Sequence, residues 1–479
     1  MMKKKCFQSL LVLLLCIIGN NASAHDVEAS NVDGVTIYYN YINNGQELEV
    51  TYRGWSDYNV YQGVVVIPDE VTTNDQTLKV TSIGSHAFYS CTNLTSVTIP
   101  NCVTKIGERA FWQCFELASV NIPDGVTTIG SGAFAYCRVL TSVNIPNSVT
   151  SIGNEAFIEC RGLTSVTIPD GMTSIADYTF NECSGLTSVT ISDNVTSIGN
   201  YAFEGCYSLA SVSMPDNVTT IGKGAFSYCT SLTSVTIPNS VMTIGNEAFS
   251  GCSGLTSIDI PNSVTRIGNY AFASCRALTS ATIGNSVTGI EDFTFYRCTS
   301  LASVTIGNSV ESIGKDAFMY CNSLTSVSIP NNVTSIGEQA FACCPSLTSI
   351  TIGDGVKYIG YGAFMEWENL TNVYCYAEEV PETGGGVFNA SYYESKLTLH
   401  VPAASTEAYG NEYPWKNFGK ILALTDSDPK PAGIVASTAT KQTADIKRYD
   451  LSGRRASQHQ RGLNIVKMSD GTTKKVVMK

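Results

Sequence analysis

Residues 129–151 read IGSGAFAYCRVLTSVNIPNSVTS, and the same 23-residue pattern returns along most of the chain. Its phenylalanine recurs every 23 residues without a slip, thirteen times from Phe88 to Phe364. A cysteine follows three residues after each of the first twelve, and a leucine six residues after all thirteen. A strict period of this length indicates a solenoid, in which each repeat is one coil and equivalent residues stack in columns. The functional question therefore concerns a long surface rather than a single pocket.

The segment Leu-x-x-Val-x-Ile of each repeat alternates apolar and polar residues, which predicts a half-buried strand. A proline such as Pro146 ends this strand, and the Asn or Asp after it predicts a turn. The stretch Gly-x-x-Ala-Phe-x-x-Cys would place Phe and Cys on one face of a single helical turn. Each coil is thus predicted to run strand, turn, extended link and helical turn. The predicted fold class is an α/β solenoid with a parallel sheet.

The motif Ile-Gly-x-x-Ala-Phe-x-x-Cys-x-x-Leu-x-x-Val-x-Ile-Pro resembles the BspA-like leucine-rich repeat family over residues 64–375. The resemblance implies a right-handed leucine-rich repeat superhelix of about thirteen 23-residue coils, with the parallel sheet on its concave side and β-rich caps at both ends. The chain departs from the motif where Ala176 and Glu291 replace the glycine.

The flanking segments predict a secreted protein with capped ends. Residues 1–24 have the basic start, apolar run and small-residue cleavage site of a signal peptide. Because solenoid ends expose apolar faces, residues 25–63 are predicted to be an N-terminal β cap and residues 376–425 a C-terminal cap. The link from Ile67 to Ile99 is nine residues longer than one repeat, and residues 426–440 are polar and predict a linker.

Residues 441–479 resemble the C-terminal sorting domain of the type IX secretion system of Bacteroidetes, and their pattern predicts three short strands. The resemblance implies passage across two membranes and a final location that is secreted or on the outer cell surface. The alternative interpretation is a small accessory β domain.

Charge is distributed unevenly along the chain. The first 24 residues carry +3 and residues 429–479 carry +8, which leaves −23 on residues 25–428. An acidic body repels phosphate backbones and anionic lipids, so nucleic acid is excluded as the expected partner. No later stretch has 18 consecutive apolar residues, so no membrane insertion is predicted. The protein is expected to be a monomer.

Twelve of the 17 cysteines fall in one column, where neighbours would lie about 5 Å apart with side chains pointing the same way. Buried thiols acting as small apolar groups are expected. Pairing of some thiols, above all Cys343 with Cys344, is the alternative. Three consecutive turn carboxylates, Asp170, Asp193 and Asp216, are expected to be solvated, with bound calcium as the alternative. No metal site and no cofactor is predicted.

Catalysis is not indicated by the sequence. The four histidines lie in the N-terminal arm, the first repeat, the C-terminal cap and the tail, so none is placed to pair with a nucleophile and an orienting acid. Residues 384–386 are three glycines without a P-loop lysine and predict a flexible loop. The predicted protein is not an enzyme, and no catalytic residue is assigned.

Two surfaces are candidates for ligand binding. Outward side chains of the strands form an array of small hydroxyls, and larger residues vary at the rim where the helical turn meets the next strand. The candidates on the strands are Ser165, Thr167, Ser188, Thr190, Ser211, Ser213, Ser234 and Thr236, and those at the rim are Tyr136, Tyr207, Tyr228 and Tyr320. The structural alternatives are that Ser and Thr are soluble sheet residues and that the aromatics cover the core.

The sequence therefore predicts a binding protein, and its resemblance implies an adhesin-like protein of the cell surface. The expected partners are host or bacterial surface proteins or glycans. Two alternatives remain open: capture of glycans or peptides for nutrient uptake, and a structural role in a surface layer.

Overall fold

The computed structural model describes residues 25–54, 59–388, 396–431, 448–449, 462–467 and 473–478. The chain divides into two compact units, Met1–Gly433 and Ile434–Lys479. In the first unit, a β-solenoid of about 15 turns is built from the 23-residue repeats. The predicted solenoid with a parallel sheet is thereby confirmed.

The first ladder of strands is the one predicted from Leu-x-x-Val-x-Ile. Its strands pair in parallel at an offset of 23 residues, so that Ser165, Ser188 and Ser211 lie side by side. The pairing is interrupted after Asn144, after Val235 and after Thr305. The strands are Gly63–Val66, Leu94–Thr98, Ser119–Asn121, Ser142–Asn144, Ser165–Thr167, Ser188–Thr190, Ser211–Ser213, Ser234–Val235, Ser257–Ile260, Ser280–Ile283, Ser303–Thr305, Ser326–Ile329, Ser349–Ile352, Asn372–Cys375, Thr398–Val401 and Lys420–Ala423.

A second ladder, which the sequence did not reveal, runs through the extended link of each coil. Its strands are only two residues long in the repeats, and all of them except the last, Glu382–Thr383, end in the buried isoleucine that precedes the glycine position. They are Lys105–Ile106, Thr128–Ile129, Ser151–Ile152, Ser174–Ile175, Ser197–Ile198, Thr220–Ile221, Thr243–Ile244, Arg266–Ile267, Gly289–Ile290, Ser312–Ile313, Ser335–Ile336, Tyr358–Ile359 and Glu382–Thr383.

The helical turn predicted for Gly-x-x-Ala-Phe-x-x-Cys is wrong. Among the described residues of the repeats this stretch forms consecutive turns and no helix. The residues two before and two after each column Phe have positive φ, for example Tyr201 at 54° and Tyr228 at 58°. Alternate amides of this stretch, including that of the column Phe, donate to the next coil: the Phe226 N–H donates to the Ala248 carbonyl at 2.8 Å, and the Tyr228 N–H to that of Ser250 at 2.7 Å. These bonds form a third, turn ladder along the solenoid.

The core is a stack of phenylalanine rings with the other columns packed around it. From Phe88 to Phe364, successive rings lie 4.8–5.5 Å apart between centroids and within 10° of parallel. Every ring is at most 1% exposed, which confirms the predicted register. Stacked aromatic rings gain about 0.5–1.5 kcal/mol per pair beyond their burial.

One further ring joins the stack where a flexible loop was predicted. Phe388 lies 5.6 Å from Phe364 and nearly parallel to it, although the spacing there is 24 residues. Gly384, Gly385 and Gly386 thus begin another copy of the repeat turn, in which the Gly384 N–H donates to the Ile359 carbonyl at 2.7 Å. The loop interpretation of residues 384–386 is therefore wrong.

Caps close both ends of the core. At the N-terminal end, Val27–Ser30, Thr36–Ile42 and Glu47–Thr51 are antiparallel, and Tyr61 contacts the Phe88 ring. The extra length before the first repeat lies in a hairpin of Glu70–Thr73 with Gln76–Ile83. At the C-terminal end, the α-helix Thr406–Asn411 and the 3-10 turns Ala403–Ser405 and Trp415–Asn417 bring Trp415 and Phe418 edge-on to Phe388.

The second ladder is interrupted at two places, which we call seams. No pairing joins Ser151–Ile152 to Ser174–Ile175, or Arg266–Ile267 to Gly289–Ile290, within the described repeats. The coil after each seam is one in which Ala176 or Glu291 replaces the column glycine. A Cβ on a retained glycine of this column would meet backbone of the preceding coil at 2.4–2.8 Å. The extra Cβ therefore explains why the ladder opens at these two coils.

The seam coils share a second substitution. The residue before the column Phe is Thr179 in one and Thr294 in the other, where most coils have Ala. Each threonine hydroxyl donates at 2.7 Å to the carbonyl of the residue that replaces the glycine, Ala176 or Glu291. The turn ladder continues across both seams, since the Phe157 N–H donates to the Thr179 carbonyl and the Phe272 N–H to that of Thr294.

The second unit is described only by its backbone. Arg448–Tyr449, Gly462–Lys467 and Thr473–Met478 form a three-stranded antiparallel sheet, so the predicted three strands are confirmed. Among the described residues of the whole chain, no helix is long and apolar enough to span a bilayer.

Candidate recognition surface

The outward side of the first ladder, here the hydroxyl face, carries the eight predicted Ser and Thr candidates. All eight are exposed, and the valine between each pair is buried. The face is uniform because the same two columns supply it coil after coil. Over these coils the face presents hydroxyl groups to a partner, but no large side chain.

A surface that varies from coil to coil lies on the turn ladder, and we call it the turn face. Of its 26 positive-φ positions in the thirteen repeats, only five are glycine. A left-handed backbone costs other residues roughly 1–2 kcal/mol each, and the coil-to-coil hydrogen bonds of the turn ladder offset that cost. Because the backbone accepts many residue types here, the turn face is where the coils differ.

The first cluster on the turn face combines arginine with aromatic rings. The Arg109 guanidinium lies 5.1 Å from the Trp112 ring centroid, and Arg138 lies 5.1 Å from Phe115 and 6.0 Å from Tyr136. The predicted candidate Tyr136 is half-buried and packs edge-on against Trp112 at 5.0 Å. These are cation–π contacts, and each guanidinium also has a carboxylate oxygen at ion-pair distance, that of Glu108 at 3.9 Å from Arg109 and that of Glu159 at 3.7 Å from Arg138.

The second cluster lies in the middle of the solenoid. Tyr178 and Tyr201 stack at 5.0 Å, and the predicted candidates Tyr207 and Tyr228 are 41% and 52% exposed. A Cβ on Gly224 would meet the Tyr201 ring at 2.4 Å, and one on Gly251 would meet the Tyr228 ring at 2.7 Å. Glycine in the following coil thus makes room for the ring of the coil before it.

The third cluster surrounds Arg297. Its guanidinium lies 5.2 Å from the Tyr296 ring and 5.7 Å from that of the predicted candidate Tyr320, which is half-buried. Tyr270 and Phe293 stack beside it at 4.4 Å and within 4° of parallel. This stack bridges the second seam.

Sequence reasoning missed one column of the turn face. Tyr178, Tyr201, Tyr270 and Phe293 all stand two residues before the column Phe, a position that the motif leaves unspecified. Bulky residues are rare in the left-handed region, and the same column holds glycine at positions 132, 224 and 362. The signal that could have found them is this alternation of aromatic residues and glycine in one column.

The thiol column is buried and free, as predicted. From Cys114 to Cys344, each Sγ lies 3.1–3.4 Å from the Phe carbonyl oxygen of the preceding coil, to which the thiol donates. Burial raises the pKa of these thiols, for example that of Cys160 to about 12. Cys344 donates into the core, whereas Cys343 donates outward to Glu366 at 3.1 Å.

We expect only two of the fifteen described thiols to react before unfolding. Cys102 and Cys343 are partly exposed and the other thirteen are buried. Burial and Glu366 raise the pKa of Cys343 to about 11, so this thiol should react slowly at neutral pH, because the thiolate is the nucleophile. Mass mapping after alkylation of native and of unfolded protein measures the pattern. Disulfides between column cysteines would contradict it.

In the acidic turn column, Asp170 bonds to the next coil. The Asp170 carboxylate accepts the Ser192 hydroxyl at 2.9 Å, and its backbone carbonyl accepts the Asn194 amide at 2.8 Å. In the part of the chain that the structure describes, no group of His, Cys, Asp or Glu is arranged to hold a metal ion.

A family model described as BspA type leucine rich repeat region matches residues 70–187, 173–301 and 288–409. The chain belongs to this family. The BspA-type assignment confirms the resemblance seen in the repeat motif; the resemblance of residues 441–479 to a sorting domain remains a prediction.

Solved structures with the same repeat include a leucine-rich repeat protein from Bacteroides ovatus, 30% identical, with a TM-score of 0.59 over 81% of this chain and 98% of that one. Another is a leucine rich cell surface protein from Faecalibacterium prausnitzii, 30% identical, with a TM-score of 0.48 over 78% and 98% of the two chains. No curated protein matches the chain. The BspA-type family is one of binding repeat proteins, so the chain is a protein-binding repeat protein.

Proposed function

We propose that this BspA-type protein is secreted to the cell surface and binds a protein of a host or neighbouring cell, in the manner of an adhesin, through its turn face. The observation that carries the proposal is that Tyr, Trp and Arg are grouped in three clusters on an otherwise regular repeat surface. These are the residues enriched at the energetic centres of protein interfaces. Ser and Thr, which make up the hydroxyl face, are not.

The clusters lie at intervals along the solenoid, which suits a large or extended partner. Several individually weak contacts on one rigid body sum to a strong interaction, because the later contacts form at a high effective concentration. A small molecule would need a deep apolar pocket. We infer on the same grounds that the protein is not an enzyme.

The signal peptide predicted for residues 1–24 and the resemblance of residues 441–479 to a sorting domain support delivery outside the cell. In this proposal the tail is the sorting signal and the solenoid is the functional part.

Replacing Tyr207 and Tyr228 together with Ala should weaken partner binding about tenfold or more, because interface tyrosines commonly contribute over 1 kcal/mol each. Both rings are exposed, so the fold should persist. The partner is first sought by pull-down with the mature chain, residues 25–479, against host matrix proteins, mucins and glycans. Surface plasmon resonance then compares the variants.

The matched variant Ser188→Lys with Ser211→Lys places two bulky side chains on the hydroxyl face and should leave binding within about twofold. Loss of binding in the serine variant alone would place the site on the hydroxyl face and overturn the proposal. If neither pair matters for the partner found, the turn face around the second cluster is likewise not the site.

A further inference from the structure

The second cluster differs from the other two in its charge. The exposed ring of Tyr207 lies near the carboxylates of Glu182 and Glu204, and Glu247 lies near Glu204, whereas the other clusters are built around arginine. We call the surface formed by Tyr178, Tyr201, Tyr207, Tyr228 and these three glutamates the tyrosine patch. It extends over four consecutive coils, about 14 Å at the usual strand spacing.

The carboxylate of Glu204 is held by neutral donors. It accepts the Asn181 side-chain amide at 2.9 Å and the Ser227 hydroxyl at 3.2 Å. Its partial burial, with Glu182 and Glu247 nearby, raises its pKa. Glu182 accepts the Tyr207 hydroxyl at 3.3 Å. These two neighbouring carboxylates therefore remain uncompensated by any cation at ion-pair distance among the described residues.

One lysine of the chain, Lys223, already contacts the tyrosine patch. The Lys223 ammonium lies 5.4 Å from the Tyr201 ring centroid and 3.6 Å from a Glu247 oxygen, so it sits between a ring and a carboxylate. Tyr207 and Glu182 also place a ring beside a carboxylate, here joined directly by the hydrogen bond from the Tyr207 hydroxyl. Arg161, a cation near Tyr207, is already paired with Glu159 at 2.8 Å.

We propose that the tyrosine patch binds a basic, extended segment of a protein partner, with a Lys or Arg side chain placed between Tyr207, Glu182 and Glu204. This inference rests on the proposed function and names the chemistry of the partner. An ammonium or guanidinium there gains a cation–π contact and charge-assisted hydrogen bonds. The charge of −23 on residues 25–428 also favours the approach of a basic partner.

The test uses a capped hexalysine peptide as the probe and the whole mature chain. Isothermal titration calorimetry at low ionic strength should show binding that weakens as salt is added. Replacing Glu182 and Glu204 together with Gln should weaken it about tenfold, equivalent to the loss of one charge-assisted contact. Gln keeps an oxygen to accept from Asn181 and Ser227, so thermal unfolding of the variant should match that of the parent.

The matched control is Asp170→Asn with Asp193→Asn, which changes net charge by the same amount in a turn column away from the turn face. It should change hexalysine binding by less than about twofold. If both pairs of substitutions weaken hexalysine binding equally, net charge alone attracts the peptide and the inference is wrong. The inference is also wrong if hexalysine does not bind the parent protein, or if the glutamate substitutions do not weaken its binding. If the tyrosine variant loses the natural partner while the glutamate pair leaves both ligands bound, the proposed function stands and this inference fails.

Discussion

Replacing Phe226 with Ala is expected to destabilise the solenoid by about 3–5 kcal/mol, the usual cost of a large aromatic deletion in a core that cannot collapse. The ring is fully buried and stacks on Phe203 at 5.3 Å and Phe249 at 5.4 Å. Each coil contacts only its neighbours, so the damage should be local. Hydrogen exchange should show lost protection in the coils of residues 203–249 and near-parental protection in the end coils.

The control for this prediction is Ser211→Ala on the hydroxyl face, which should change stability by less than about 0.5 kcal/mol. An unchanged denaturation midpoint in the Phe226 variant would contradict the stacked core. Uniform loss of protection over the whole solenoid would instead show that the coils unfold as one unit.

The glycine column provides the second large effect, since Gly222→Ala should create a third seam. A Cβ at this position would stand 2.6 Å from the Gly199 carbonyl carbon. Opening the ladder there would break the bonds from the Gly222 N–H to the Ile198 carbonyl and from the Thr219 N–H and hydroxyl to the Thr196 carbonyl. At about 1 kcal/mol for each hydrogen bond, the expected cost is about 2–3 kcal/mol by chemical denaturation.

The reverse substitution, Ala176→Gly, is the matched test of the same cause. It should let the coil close on its predecessor, protect the amides of residues 173 and 176 from exchange and stabilise the protein by about 1 kcal/mol, net of the added chain flexibility. Amides that remain unprotected after this change would show that the seam has another cause, such as Thr179.

The columns of the solenoid could be predicted because a period of 23 residues leaves little freedom in which side chains stack. The turn ladder could not be predicted, because a spacing of three residues between Phe and Cys fits one helical turn and two consecutive turns equally well. The positive-φ positions carry no common residue type: Tyr201 and Gly224 occupy the same column. The second ladder escaped notice because a two-residue strand has no alternation to detect.

The candidate surface was predicted in part, because Tyr207 and Tyr228 stand out as large residues at variable positions. Tyr178 and Tyr201 escaped because their column was unassigned in the motif. The carboxylates of the tyrosine patch come from three coils, and only the fold shows that Glu182 and Glu204 lie beside one another. The partial burial of Tyr136 and Tyr320 agrees with the alternative that rim aromatics cover the core, but which aromatics do so depends on the arginines and rings of adjacent coils.

The two seams also determine where the solenoid is expected to bend. A coil boundary held by fewer hydrogen bonds is more compliant, so bending and shear of the solenoid axis should concentrate at the boundaries before Ala176 and Glu291. These joints stand five coils apart, about 24 Å at the usual strand spacing. The tyrosine patch, from Tyr178 to Glu247, lies between them, although the first ladder has a break of its own there, between Ser234–Val235 and Ser257–Ile260. Tyr178, Tyr201, Tyr207 and Tyr228 lie on three coils that all three ladders join. Bending at the seams should therefore leave the spacing of these four rings unchanged.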